Sequence, residues 1–151
     1  MSSGMNELRL NEYGRLKRVA LRRPEQAMLN QAKIDAEWKP LNYHTRPDFN
    51  LAVAEHKRLV QIIQGVGAEV TYLPAADSLT MDSLYVRDAA TVCARGVILC
   101  NMGKPARAAE PGVHGEAFRK AGIAIAGAIT GDGRVEGGDI IWLDQRHVGI
   151  A

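Results

Sequence analysis

Two short acid-bearing motifs are the residues of this sequence best suited to chemistry. The first is Asp82-Ser-Leu-Tyr-Val-Arg-Asp88, with a carboxylate at each end, six residues apart. Read as a strand, it puts both acids on one face together with Leu84 and Val86, because strand side chains alternate. Two acids on an apolar face are costly to bury unless a cation meets them. The second is Arg134-Val-Glu136-Gly-Gly-Asp139, where paired glycines ahead of a strand let the backbone turn sharply or approach another group closely. Together the motifs suit a carboxylate-rich cleft for a planar cation, since a guanidinium fork matches carboxylates in bidentate geometry. The plainer reading stays open: Asp82 and Asp88 flank turns in solvent, and Glu136 and Asp139 belong to a solvated Gly-rich turn.

Other chemistries find less support. Gly96…Gly103-Lys104 has the wrong spacing for a phosphate loop, and Pro105 stands where a Ser or Thr is needed. Gly131-Asp-Gly133-Arg-Val-Glu136 opens like a dinucleotide fingerprint but carries Glu at the third Gly position and runs into a strand. Cys93 and Cys100 fall on hairpin strands, where a thiol usually packs as a small hydrophobe. His56 continues the apolar face of a helix, and no two histidines have metal-ligand spacing. No metal and no cofactor is expected.

The chain has 151 residues, 19 Lys+Arg against 17 Asp+Glu, a net charge of +2 and 46% hydrophobic residues. That composition supports a packed α/β domain and gives no footprint for nucleic acid. The longest apolar stretch, Ala121 to Ile129, is too short to span a bilayer, and the N-terminus has no apolar leader. Two cysteines seven apart make no disulfide framework. A cytoplasmic protein, bound to neither membrane nor nucleic acid, is expected, with residues 1–14 as an N-terminal extension.

The elements that must position the acids recur along the chain. A helix is predicted over Phe49 to Val66, capped by Asp48 and stopped at Gly65 or Gly67, followed by a strand Glu69 to Leu73. The same unit returns with a helix opening at Glu110-Pro111, a stop at Gly122, and a strand Ile123 to Ala126. Gly67 and Gly122 are 55 residues apart. Hairpins repeat as well, Ala90–Ala94 with Val97–Cys100 and Asp139–Leu143 with His147–Ala151, while Lys17 to Arg22 is an earlier strand. The last hairpin has no helix to cover it and leaves an unpaired edge. Either the chain is the first part of a longer repeat fold, or its last strand pairs back on the first. Pro24 to Pro47 shows no clear periodicity and reads as a lid or a surface loop with a short helix at Gln31 to Trp38.

Asp82 to Asp88, Met102-Gly-Lys-Pro-Ala-Arg107 with Glu110, and Glu136-Gly-Gly-Asp139, in that order, resemble the guanidine-modifying enzymes: dimethylarginine dimethylaminohydrolase, arginine deiminase and the amidinotransferases. Leu21-Arg-Arg-Pro24, the helix Leu51 to Gly65 and Ala68 to Pro74 fit the same pattern, so the resemblance runs from about Leu16 to the end. It implies a pentein fold, an α/β propeller of ββαβ modules around an axis, here incomplete, with about two and a half of five modules over 15–151. It further implies a cysteine hydrolase that cleaves the guanidino C–N bond of arginine or a methylated arginine to citrulline. In that chemistry a Cys thiolate forms a covalent intermediate, and a His acts as acid and base.

Carried over by motif, Asp88 binds the guanidinium and Asp82 is the second acid of that segment. Arg107 meets the substrate carboxylate, and Glu136 orients the catalytic His. Gly137, Gly138 and Asp139 keep the motif in a structural role, and 24–47 takes the place of the substrate lid. Two departures follow. Arg87 stands where some dimethylarginine hydrolases have Glu, which resembles the deiminases and amidinotransferases, so amidino transfer is the alternative reaction. No Cys or His in this chain matches the family's nucleophile or base, so the 151 residues alone are expected to be inactive. An alternative of another class is a non-catalytic guanidino-binding half-domain, or one that self-associates through its strand edges.

Overall fold

A computed structural model describes residues 10–151. The expected extension over 1–14 therefore lies outside the described residues as far as residue 9. The chain runs β1 (Arg18–Leu21), α1 (Pro24–Ala27), α2 (Gln31–Glu37), α3 (Phe49–Gly65), β2 (Glu69–Tyr72), β3 (Ala90–Cys93), β4 (Gly96–Leu99), α4 (Glu110–Lys120), β5 (Ile125–Ala128), β6 (Ile140–Trp142) and β7 (Val148–Ile150).

The repeat is visible in the hydrogen bonding of the helix ends. After α3, the Gly67 N–H donates to Gln64 O and the Ala68 N–H to Ile63 O; after α4, Gly122 donates to Arg119 O and Ile123 to Phe118 O. Both are the same two-bond C-terminal motif, which needs a left-handed residue, and Gly67 and Gly122 have φ of +83° and +74°. Because Ile123 is still tied to the helix, the following strand starts at Ile125, two residues later than expected.

The middle unit is a complete ββαβ module. β3 pairs antiparallel with β4, β4 pairs parallel with β5, and α4 makes the crossover. The first unit has only β1 parallel to β2 with α3 crossing between them, and the third only the antiparallel β6–β7 hairpin. β7 pairs with β6 and β1 with β2, so the last strand does not fold back on the first. A helix over two strands buries little: Val53, His56, Val60 and Ile63 of α3 are half-buried, while Leu51, Leu59, Ile62 and Val66 are exposed. Ile141, Leu143, Val148 and Ile150 of the last hairpin are also exposed, on both of its faces, as in strands built to be covered twice.

The short helix expected within Pro24 to Pro47 is present as α2, preceded by the one-turn α1. Asn30 caps α2 by accepting from the Lys33 N–H at 3.0 Å, and the main apolar cluster sits here, with Met28, Ile34 and Leu41 packed on Met81. Lys33 Nζ donates to Leu79 O at 2.8 Å and the Met81 N–H donates to Glu37 Oε2 at 2.7 Å, which fastens α2 to the chain ahead of Asp82.

One expectation needs correction: Asp82 to Asp88 is no strand. It forms two 3-10 turns, Met81–Leu84 and Val86–Ala89. Its carbonyls point inward to buried guanidinium groups: Arg22 Nη1 donates to Ser83 O at 2.8 Å and Arg107 Nη2 to Tyr85 O at 3.1 Å. A strand would have sent those carbonyls sideways to a ladder partner, and among the described residues none lies there. No helix among them is long and apolar enough to cross a membrane.

Candidate active site

Arg107 organises the site. It ends a 3-10 turn, Pro105–Arg107, just ahead of α4, and is 5% exposed. Its Nε and Nη2 donate to the two oxygens of Glu110, both at 2.8 Å, in a bidentate fork. Nη1 donates to Asp88 Oδ2 at 2.7 Å, and Glu136 Oε2 stands 3.8 Å from the same nitrogen. Acids from three separate segments thus converge on one flat cation. The cation is the protein's own.

The electrostatics follow from that enclosure. Burial works against the charge on Arg107, but its hydrogen bonds to Glu110 and Asp88 outweigh it and push its pKa up. Burial pushes the Glu110 carboxyl up, and the Arg107 fork pulls it only part of the way back, so it stays raised. Cys100, at the end of β4, is buried; burial first, then Asp88 and Glu136, push its thiol up to about 11. A thiol so placed is not a nucleophile at neutral pH.

Beside Arg107 opens a cavity of about 460 Å³, walled by 41–45, Asp82, Tyr85, Lys104 and Arg107. Asp82 is 2% exposed, and its Oδ2 accepts from Lys104 Nζ at 2.8 Å. Lys104 also donates to Leu41 O at 3.0 Å, so one ammonium ties the acid to the 24–47 segment. The Tyr43 hydroxyl is buried without a partner among the described residues; burial, then Tyr85 and Asp82, raise its pKa.

The glycines of Glu136-Gly-Gly-Asp139 approach protein backbone. A Cβ on Gly137 would overlap Arg87 O, and one on Gly138 would stand 3.0 Å from Asp88 Oδ1. The two acid motifs are therefore stacked directly on each other. Asp139 Oδ2 accepts from the Glu136 N–H at 3.1 Å, which holds the turn that presents Glu136. Glu136 Oε1 accepts from the Gly103 N–H at 3.1 Å. Arg87 points away from the cavity and pairs with Glu12 at 2.9 Å and with Ile140 O at 2.6 Å.

Of the residues singled out from the sequence, Asp88, Glu136 and Arg107 meet at one point, and Asp82 lies across the same cavity. Gly137, Gly138 and Asp139 lie beneath them. Sequence reasoning missed Lys104, Tyr43 and the inward turn of Arg22, and gave Glu110 no role. The i, i+3 spacing of Arg107 and Glu110 at a helix start was the one available signal for the fork. No three His, Cys, Asp or Glu among the described residues are placed to hold a metal ion.

Residues 23–150 match the model of the family described as N,N dimethylarginine dimethylhydrolase, eukaryotic. Similar solved structures include dimethylarginine dimethylaminohydrolase as an adduct with S-methyl-L-thiocitrulline (TM-score 0.66, 22% identity, 85% of this chain and 47% of that one). The enzyme from Pseudomonas aeruginosa, as a mutant complexed with citrulline, gives a TM-score of 0.65 at 22% identity, over 84% and 47% of the two chains. The N-terminal domain of ArgZ, an arginine dihydrolase from the ornithine-ammonia cycle in cyanobacteria, bound to product, gives 0.65 at 22% identity, over 84% and 45%. This chain therefore spans a little under half the length of those structures, with one whole ββαβ module between two partial ones. Its fold is that of the pentein propellers, and the chain belongs to the eukaryotic N,N dimethylarginine dimethylhydrolase family.

Proposed function

We propose that this chain supplies the acid-lined part of the active centre of a hydrolase that cleaves the guanidino C–N bond of arginine or a methylated arginine. The observation that carries the reading is the convergence of Asp88, Glu110 and Glu136 on a single guanidinium at the wall of a cavity. A pocket that already satisfies one such group has the charge and planarity to take another. The solved relatives bound to citrulline and to S-methyl-L-thiocitrulline support the substrate class.

The residues divide the work as follows. A substrate guanidinium takes Asp88 in exchange for Arg107 Nη1, and Nη1, kept in place by the Glu110 fork, meets the substrate's carboxylate. The exchange replaces one ion pair by two, so no charge in the enclosed site is left without a partner. Asp82 lines the far side of the cavity, and Glu136 orients the catalytic imidazole. Residues 41–45 close over the cavity as the lid. A thiolate attacks the guanidinium carbon, the amine or ammonia leaves, and water releases citrulline and the thiol. Cys100 does not fill the nucleophile's role, so the 151-residue chain binds guanidino compounds without turning them over. The edges of the β1–β2 and β6–β7 sheets that no described strand covers are where further strands join.

Calorimetry with L-arginine and with asymmetric dimethylarginine tests this. Saturable binding that disappears in Asp88→Ala is expected, with no citrulline formed. Citrulline release that survives the Cys93→Ala, Cys100→Ala double substitution would overturn the assignment.

A further inference from the structure

A second cavity, of about 430 Å³, lies between α1, α3 and the end of β2 and shares no residue with the one at Arg107. One wall comes from the Arg22-Arg23-Pro24 run. Arg22 turns inward and is 1% exposed, whereas Arg23 turns out and lays its guanidinium carbon 3.9 Å over the ring of Tyr72. A guanidinium resting flat on an aromatic face is held in place while its N–H edges stay free in the ring plane. Lys57 of α3 lines the same cavity, and neither it nor Arg23 makes an ion pair with any described carboxylate.

His56, one residue before Lys57, completes the group. Its ring lies 6.2 Å from that of Tyr72, and its Nε2 is buried with no hydrogen-bond partner among the described residues. A buried ring nitrogen left without a partner is unusual. Val60 gives the cavity an apolar wall. Glu25 is the one carboxylate in the lining, so Arg23, Lys57 and Glu25 sum to one positive charge, or two with His56 protonated.

We infer that this cavity is a second small-molecule site, which takes a compact organic oxyanion, a carboxylate or a phosphate monoester, on Arg23, Lys57 and His56. The stacked guanidinium supplies an oriented fork, Lys57 a mobile point charge and His56 a directed hydrogen bond. The volume falls within the range of small-metabolite pockets. The site is independent of the chemistry at Arg107.

The site also carries a pH signature. Burial lowers the pKa of His56, Glu25 raises it and Arg23 lowers it further. Lys57 and Tyr72 are the other titratable groups facing the ring from α3 and β2. An anion bound between Arg23 and His56 favours the imidazolium, so its affinity must rise as the pH falls and the ring gains a proton.

The test is an NMR titration of the isotope-labelled chain with inorganic phosphate and, separately, succinate, against chloride at matched ionic strength. Saturable shifts at Arg23 Nε, the His56 ring and the Lys57 amide are expected, stronger at about pH 6 than at about pH 7.5. Lys57→Gln, on an exposed position, and Arg23→Gln should each weaken binding about tenfold, the scale of one charge-assisted hydrogen bond. Arginine binding at the first cavity should be untouched in Lys57→Gln. The stronger of the two probes assigns the site to phosphates or to carboxylates. Absence of saturation by about 20 mM, a chloride response as large, or unchanged affinity in both variants would overturn the proposal.

Discussion

Arg107 Nη1 and Asp88 Oδ2 meet at 2.7 Å across nineteen residues of chain, one on the turn that opens α4 and the other on the turn that opens β3. The contact joins both ends of the complete ββαβ module at its inner side. Around it stand Arg22, Lys104 and Arg107 against Asp82, Asp88, Glu110 and Glu136, three cations against four carboxylates. That balance leaves one negative charge, the charge a guanidinium ligand would neutralise.

Removing Arg107 should be severe. Arg107→Met leaves Glu110, 1% exposed, without its hydrogen-bonded ion-pair partner, and a loss of about 3–5 kcal/mol is expected in urea unfolding. Arg107→Lys should recover little, because an ammonium cannot reproduce the fork to Glu110. Arg107→Met combined with Glu110→Leu should regain most of the loss, since a buried ion pair replaced whole is often near neutral. A fully stable Arg107→Lys would contradict the bidentate geometry.

Gly137 is where the two acid motifs press together. A methyl there would overlap Arg87 O and stand 3.0 Å from Ala90 O, both backbone atoms that cannot swing aside. Gly137→Ala is expected to cost about 3 kcal/mol or more and to abolish arginine binding by displacing Asp88. Gly112→Ala in α4 meets nothing within 4 Å and should instead stabilise by about 0.5–1 kcal/mol. Equal thermal shifts for the two would remove the stacking argument.

His114 should make the protein acid-sensitive. It is fully buried on α4, both ring nitrogens lack partners among the described residues, and burial, then Arg22 and Arg107, hold its pKa down at about 3. An unfolded His titrates near 6.5, so between these values the unfolded chain binds the extra proton. Stability is therefore fully present above about pH 6.5 and drains away as pH falls toward 3, by several kcal/mol in all. His114→Leu should flatten that arm of the stability curve while changing stability at about pH 7.5 by roughly 1 kcal/mol or less. An unchanged acid arm in the variant would exclude His114 as its source.

Much of the framework was legible in the sequence because it rests on local rules. Asp48 caps α3, Gly67 and Gly122 stop two helices by adopting a conformation few other residues tolerate, and alternation marks the hairpins. The need for a cation opposite Asp82 and Asp88 was also legible, since burying carboxylates demands one. What decided the rest was tertiary. The turns at 81–89 look like a strand by alternation, and only the buried guanidinium groups of Arg22 and Arg107, drawing in the carbonyls of Ser83 and Tyr85, make them turns. Likewise, no spacing in the chain could say which cation would meet Asp88. Arg107 does so because α4 and the Gly137 contact bring three distant segments within hydrogen-bond reach, and a guanidinium satisfies all of them from one plane.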